Sequence, residues 1–129
     1  AKPISDRQRI AMKQLLIIAH GSRRKGSNED VQILASKVAM HLNIPDDAVQ
    51  AACLELASPS SGEAIDACFQ RGCDEITVLP YFLSPGVHVI SDVPEEIAAA
   101  QSKWPDKTIT LLPHIGATQA MVDLIAQAY

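Results

Sequence analysis

Four short apolar runs alternate with four stretches of helical spacing along the chain. Residues 15–19 (LLIIA) are continuously apolar, as a strand buried on both faces must be. From 28 to 42, Val31, Leu34, Ala35, Val38, Ala39 and Leu42 recur on one helical face. Ser27 or Asn28 can cap the start of that helix, and Asn43 with Pro45 ends it. A second strand covers 49–54. Ser58, Pro59 and a Ser60…Glu63 capping box open the next helix, which Gly72 closes. A third strand covers 75–83, with Pro80 near its exit because a proline inside a ladder loses a donor. Residues 84–91 read as a loop, and Asp92, Pro94 and Glu95 start a helix that runs to Lys103. A fourth strand covers 107–112, and Thr118 caps a last helix through Ala128. Strands that alternate with helices predict parallel βαβ units with right-handed crossovers. The expected fold class is α/β: a small flavodoxin-like three-layer sandwich around a four-stranded parallel sheet.

With 129 residues the chain is long enough for one domain with one core, here 14–129, preceded by a lead-in at 1–13. That lead-in is basic but lacks an apolar stretch, so it does not read as a signal peptide, and Met12 stands as a candidate internal start. No apolar run approaches the roughly 20 residues of a membrane span. A formal charge of −4 argues against nucleic acid as the main partner, though local charge can still suit an acidic small molecule. Cys53, Cys68 and Cys73 are odd in number and lack CxxC spacing, which reads as reduced, partly buried thiols of a cytoplasmic protein.

Ligands of a parallel α/β sheet bind beyond the carboxyl ends of its strands. After the first strand comes HGSRRKG (20–26), after the second Glu55, after the third a loop with Gly86 and His88 and then Asp92, and after the fourth His114. Three of the four histidines and one glutamate therefore share one sheet edge, while His41 lies on a helix. Two imidazoles and a carboxylate suit a divalent ion and leave positions open for substrate. Each also has a plainer reading: a strand-end hydrogen bond for His20, a surface carboxylate for Glu55, an exposed loop histidine for His88, a structural one for His114. Arg23, Arg24 and Lys25 ordinarily mean a solvated loop. Beside His20 and ahead of a helix N-terminus, they also suit carboxylates. No P-loop and no G-x-G-x-x-G occurs.

The segments LLIIAHGSR, LELASPS, LPYFLSPGVHVISDVP and LLPHIG, in this order, resemble the short-form sirohydrochlorin chelatases of the class II chelatase family. The resemblance implies the chelatase fold and insertion of a divalent metal (cobalt first, then iron, with nickel also accommodated) into sirohydrochlorin, for cobalamin or siroheme synthesis. It places the metal on His20 and His88, with Glu55 completing the shell, orienting a histidine or relaying a proton. In that setting Ser22, Arg23, Arg24 and Lys25 would hold peripheral carboxylates. Leu83, Gly86, Val87 and Val89 would meet the ring. The metal is then a substrate and no cofactor is permanently bound. The partners are the tetrapyrrole and a second copy of the chain in a homodimer, with neither nucleic acid nor membrane. Two rival functions are a non-catalytic metal or tetrapyrrole carrier and a phosphoryl-transfer enzyme that uses His20.

Overall fold

The computed structural model describes residues 12–129; the expected lead-in lies almost wholly outside them. The chain forms β1 (Lys13–Ala19), α1 (Lys25–Leu42), β2 (Val49–Cys53), α2 (Ser61–Gln70), β3 (Glu75–Pro80), α3 (Val87–Lys103), β4 (Thr108–Leu111) and α4 (Gln119–Ala128), with one-turn 3-10 helices at Asp46–Ala48 and Ile115–Ala117. The sheet is parallel throughout, in the order β2-β1-β3-β4. The chain thus leaves β1 toward β2 on one side and resumes at β3 on the other. The strand order reverses at the carboxyl end of β1, which is where such sheets form a crevice.

Register explains which helix covers what. Leu16 and Ile18 of β1 face the same way as Val78 and Pro80 of β3, their partners in the ladder. Leu16, Ile18 and Val78, with Ile76, Ile65, Phe69, Val93 and Ile97, build the larger core beneath α2 and α3. Ile17 points the other way and packs with Val49 against Ala35 and Ala39, whose small side chains let α1 lie close to the strands. Full burial of each such aliphatic contributes about 1.5–3 kcal/mol. Asp66 ties α2 to the end of α3, accepting from Lys103 Nζ at 2.7 Å and Trp104 Nε1 at 2.8 Å, and these bonds hold its carboxyl below the usual range. Cys53, Cys68 and Cys73 are free and buried. No described helix is long and apolar enough to cross a membrane.

The expected caps at Ser60, Gly72 and Thr118 are present: Ser60 and Glu63 exchange both bonds of a capping box, Gly72 has φ +100°, and Thr118 accepts from the Met121 amide. Three boundaries move. Helix α1 begins at Lys25, with Arg24 at the N-cap and no side-chain cap. Asn28, expected to cap, instead brackets Ser22: its Oδ1 accepts from the Ser22 amide at 3.0 Å and its Nδ2 donates to the Ser22 carbonyl at 2.8 Å. Strand β3 ends at Pro80 rather than 83. Helix α3 starts at Val87 rather than Asp92, so His88 belongs to its first turn and not to a loop. Proline 94 therefore sits inside a helix. Its missing N–H forfeits one intrahelical bond, while Val93 and Ile97 stay buried on either side and keep the helix on the sheet.

Candidate functional site at the carboxyl edge of the sheet

His20 follows β1 directly, and its position is fixed through Gly21. Gly21 has φ +98°, and a Cβ there would lie 1.8 Å from the Glu55 carbonyl oxygen. The two strand-end loops can approach this closely only without a side chain. They are stitched by Leu54 N–H to Ala19 O at 2.9 Å and Glu55 N–H to His20 O at 3.1 Å. These backbone bonds set the side chains opposite each other: His20 Nε2 lies 3.0 Å from Glu55 Oε1.

A second imidazole–carboxylate couple lines the same cleft as the first. His88 Nε2 lies 3.0 Å from Asp92 Oδ2, one turn further along α3. Both couples line a cleft of about 380 Å³ whose walls are His20, Leu54, Glu55, His88, Val89, Asp92, Glu95, Glu96 and Ala99. His20, Glu55 and His88, expected together from sequence, do share this cleft. They do not form a closed ligand set: among the described residues no three His, Cys, Asp or Glu side chains converge as a metal site. Each histidine is held by its own carboxylate instead.

Asp92 was expected at this edge but not as the partner of His88, and Glu95 and Glu96 were not expected in the cleft. A helix placed from residue 92 onward hid the i, i+4 relation of His88 to Asp92, and the repeat at 88, 92, 95 and 96 marks one helical face. The Glu96 carboxyl is pushed above its usual range, first by partial desolvation in the cleft wall and then by the charge of Asp92, against a hydrogen bond from Ser61. Four carboxylates and two imidazoles give the cleft a negative field, suited to a dication and hostile to an anion.

The residues expected at the ligand's periphery flank the cleft rather than line it. Ser22, Arg23, Arg24 and Lys25 lie on the β1–α1 loop and the start of α1, immediately after His20. The Ser22 hydroxyl accepts from the Arg24 amide at 3.0 Å, and Lys25 pairs with Glu29 at 3.8 Å. Arg23 and Arg24 have no carboxylate partner among the described residues. Leu83, Gly86 and Val87 precede His88, with Leu83 68% and Val87 82% exposed, so an apolar surface stands uncovered beside the cleft. His114 lies elsewhere, in a small apolar cavity of about 150 Å³ with Phe82, Val89, Val93 and Leu111. His41 lies near the C-terminal end of α1, far along the chain from the cleft-lining residues.

A parallel doubly wound domain with histidine–carboxylate couples at its switch point defines a class of small α/β ligand-binding domains, and comparison with known proteins narrows it. The CbiX family model matches residues 14–129, and the chain belongs to that family. It is 30% identical over 118 residues to the sirohydrochlorin cobaltochelatase of Methanosarcina barkeri, covering 86% of this chain and 89% of that protein. It is 28% identical over 117 residues to the sirohydrochlorin ferrochelatase of Priestia megaterium, covering 90% of this chain and 43% of that protein. Among solved structures it superposes with TM-score 0.73 and 30% identity on the sirohydrochlorin chelatase SirB of Bacillus subtilis subspecies spizizenii in complex with cobalt, covering 89% of this chain and 48% of that one. The chain thus spans about half the length of the ferrochelatase and of the cobalt complex it matches.

Proposed function

We propose that this protein inserts a divalent metal ion, cobalt first and iron next, into sirohydrochlorin. The observation that carries the reading is the pair of imidazole–carboxylate couples facing one cleft in a CbiX-family domain. Metal insertion requires that the ion shed water, that two pyrrole nitrogens lose protons, and that the ion enter from one face of the ring. The negative cleft draws the dication in, and the imidazoles replace its waters. Once the metal passes to the ring, the same imidazoles and carboxylates accept the departing protons. The metal is a substrate here, and the reaction needs no resident cofactor.

Charge divides the work between cleft and rim. The acidic side groups of the tetrapyrrole are repelled by Glu55, Asp92, Glu95 and Glu96, so they belong outside the cleft, on Arg23, Arg24, Lys25 and Ser22 and at the N-terminal ends of α1 and α3. The ring itself is apolar enough to cover Leu83, Gly86, Val87 and Val89. The same negative cleft disfavours the phosphoryl-transfer alternative, whose substrate is an anion at the reacting centre.

The working unit is a homodimer in this reading. The His88 side chain is 89% exposed, whereas metal transfer between weak ligands gains from exclusion of water. Helix α4 has no buried residue, exposes Val122, Leu124 and Ile125, and is 10 residues long. A helix that short is marginal in water without a packing partner. On the α1 side of the sheet, Thr108 and Thr110 of β4 are exposed and Thr77 and Leu79 of β3 only half-buried, so no described helix covers that half of the face. A second copy satisfies both surfaces and places a lid over the cleft. In the cytoplasm, where the thiols stay reduced, such a dimer would serve cobalamin or siroheme synthesis.

The reading is tested by the rate of metal insertion into sirohydrochlorin for His20→Ala, His88→Ala and the double variant. Each single variant is expected to lose at least about 100-fold, with unfolding temperature unchanged. A double variant as fast as the wild type overturns the assignment.

A further inference from the structure

The two cleft histidines differ in how their rings are engaged. His20 is held at both nitrogens: Nε2 faces Glu55 Oε1 at 3.0 Å, and Nδ1 lies 3.3 Å from the Gly21 carbonyl oxygen. His88 is held at one only. Its Nε2 faces Asp92 Oδ2 at 3.0 Å, and among the described residues its Nδ1 meets no hydrogen-bonding partner.

At neutral pH a carboxylate only accepts hydrogen bonds. Of the two neutral tautomers, Asp92 therefore favours the one that carries its proton on Nε2, which leaves the lone pair on Nδ1. A metal ion binds the unprotonated nitrogen of a neutral imidazole. A carboxylate on the opposite nitrogen fixes the tautomer and strengthens the ligand. We infer that Asp92 is a positioning residue that holds His88 in its Nε2–H form, so that His88 Nδ1 is the first landing point for the incoming ion. His20 joins second, once its ring gives up one of its two contacts. The inference rests on His88 being a metal ligand, as proposed above, and adds the nitrogen used, the residue that selects it and the order of engagement.

The pair arises from local geometry. His88 is the second residue of α3 and Asp92 lies four residues on, so both stand on the face that looks into the cleft. A pair that acts through charge alone lowers metal affinity when Asp92 is neutralised but leaves the His88 tautomer unchanged, whereas a positioning pair changes the tautomer as well.

Two measurements on the full chain separate these roles, with Co²⁺ alone as the probe. Long-range ¹H–¹⁵N spectra of histidine-labelled protein read the tautomer of each ring, and His88 is expected in the Nε2–H form in the wild type and to lose that preference in Asp92→Asn. Calorimetric titration is expected to show Co²⁺ binding weakened about 10- to 100-fold in Asp92→Asn, partly restored in Asp92→Glu, with unfolding temperature unchanged. A predominantly Nδ1–H ring at His88, an Nε2–H preference that survives Asp92→Asn, or unchanged Co²⁺ affinity in that variant overturns the inference. Binding that persists in the His20→Ala, His88→Ala double variant overturns the histidine metal site itself. Histidine-dependent binding that ignores Asp92→Asn overturns only the positioning role.

Discussion

Gly21→Ala is the substitution that the geometry of the site constrains most tightly. The new methyl would lie 1.8 Å from the Glu55 carbonyl oxygen and 3.1 Å from Cys53 Cβ, and both are backbone-fixed neighbours that cannot swing aside. The residue must also keep φ +98°, a left-handed conformation that costs an L-residue about 1–2 kcal/mol. Separating the loops to make room sacrifices the Leu54–Ala19 and Glu55–His20 backbone bonds, each worth about 0.5–1.5 kcal/mol. The combined loss is about 2–5 kcal/mol, and at about 3–5 °C per kcal/mol for a domain of this size the melting temperature falls by about 6–25 °C. Because the same bonds hold His20 against Glu55, Co²⁺ affinity falls by about tenfold or more in the protein that remains folded. Thermal unfolding by circular dichroism and Co²⁺ titration below the transition read the two effects separately. Gly62→Ala is the matched control: nothing lies within 4 Å of its added Cβ, it sits in α2, and alanine there is expected to be neutral or slightly stabilising. A Gly21→Ala protein that melts within about 2 °C of the wild type and binds Co²⁺ normally would refute the claim that this glycine sets the site.

Two further outcomes follow from the cleft wall and from α4. Glu96 has its carboxyl raised by desolvation and by Asp92. The folded state therefore favours the protonated acid, and ionisation costs stability as pH rises through the raised value. Glu96→Gln mimics the protonated form, so it should melt higher than the wild type at pH 8 and the same at pH 4; a difference that grows on acidification would contradict the sign. Ile125→Asp places a charge on the apolar surface of α4, which is 64% exposed at this position. It should convert a dimer to a monomer in sedimentation velocity and lower the insertion rate, whereas an unchanged mass would remove α4 from the interface.

Much of the fold was legible because the signals were local and strong. The β1 run LLIIA, the Ser60–Glu63 capping box and the glycine after α2 each specify one conformation through their own chemistry, and each stands where expected. The site was legible in part for a topological reason: alternation of strand and helix puts every strand's carboxyl end on one edge, which carried His20, Glu55 and His88 to one cleft. Hidden from the sequence were the relations that depend on tertiary context. Pro94 resembles a helix start, yet the helix begins at Val87 and carries the proline inside it, with Val93 and Ile97 buried on either side. With that start misplaced, Asp92 read as part of a helix start instead of the partner of His88. Likewise Asn28 has the side chain of a helix cap but spends it on the Ser22 backbone, because the loop after His20 needs a brace.

The central claim is that this domain accelerates metal insertion into sirohydrochlorin. The most direct test is an anaerobic absorbance time course of sirohydrochlorin with Co²⁺ or Fe²⁺, with and without the purified protein. The account predicts conversion to the metallated spectrum at a rate proportional to protein concentration, faster with Co²⁺ than with Fe²⁺, and abolished in the His20→Ala, His88→Ala variant. A folded protein that binds Co²⁺ and the tetrapyrrole, yet leaves the spontaneous rate unchanged with both metals, would contradict it and identify a carrier.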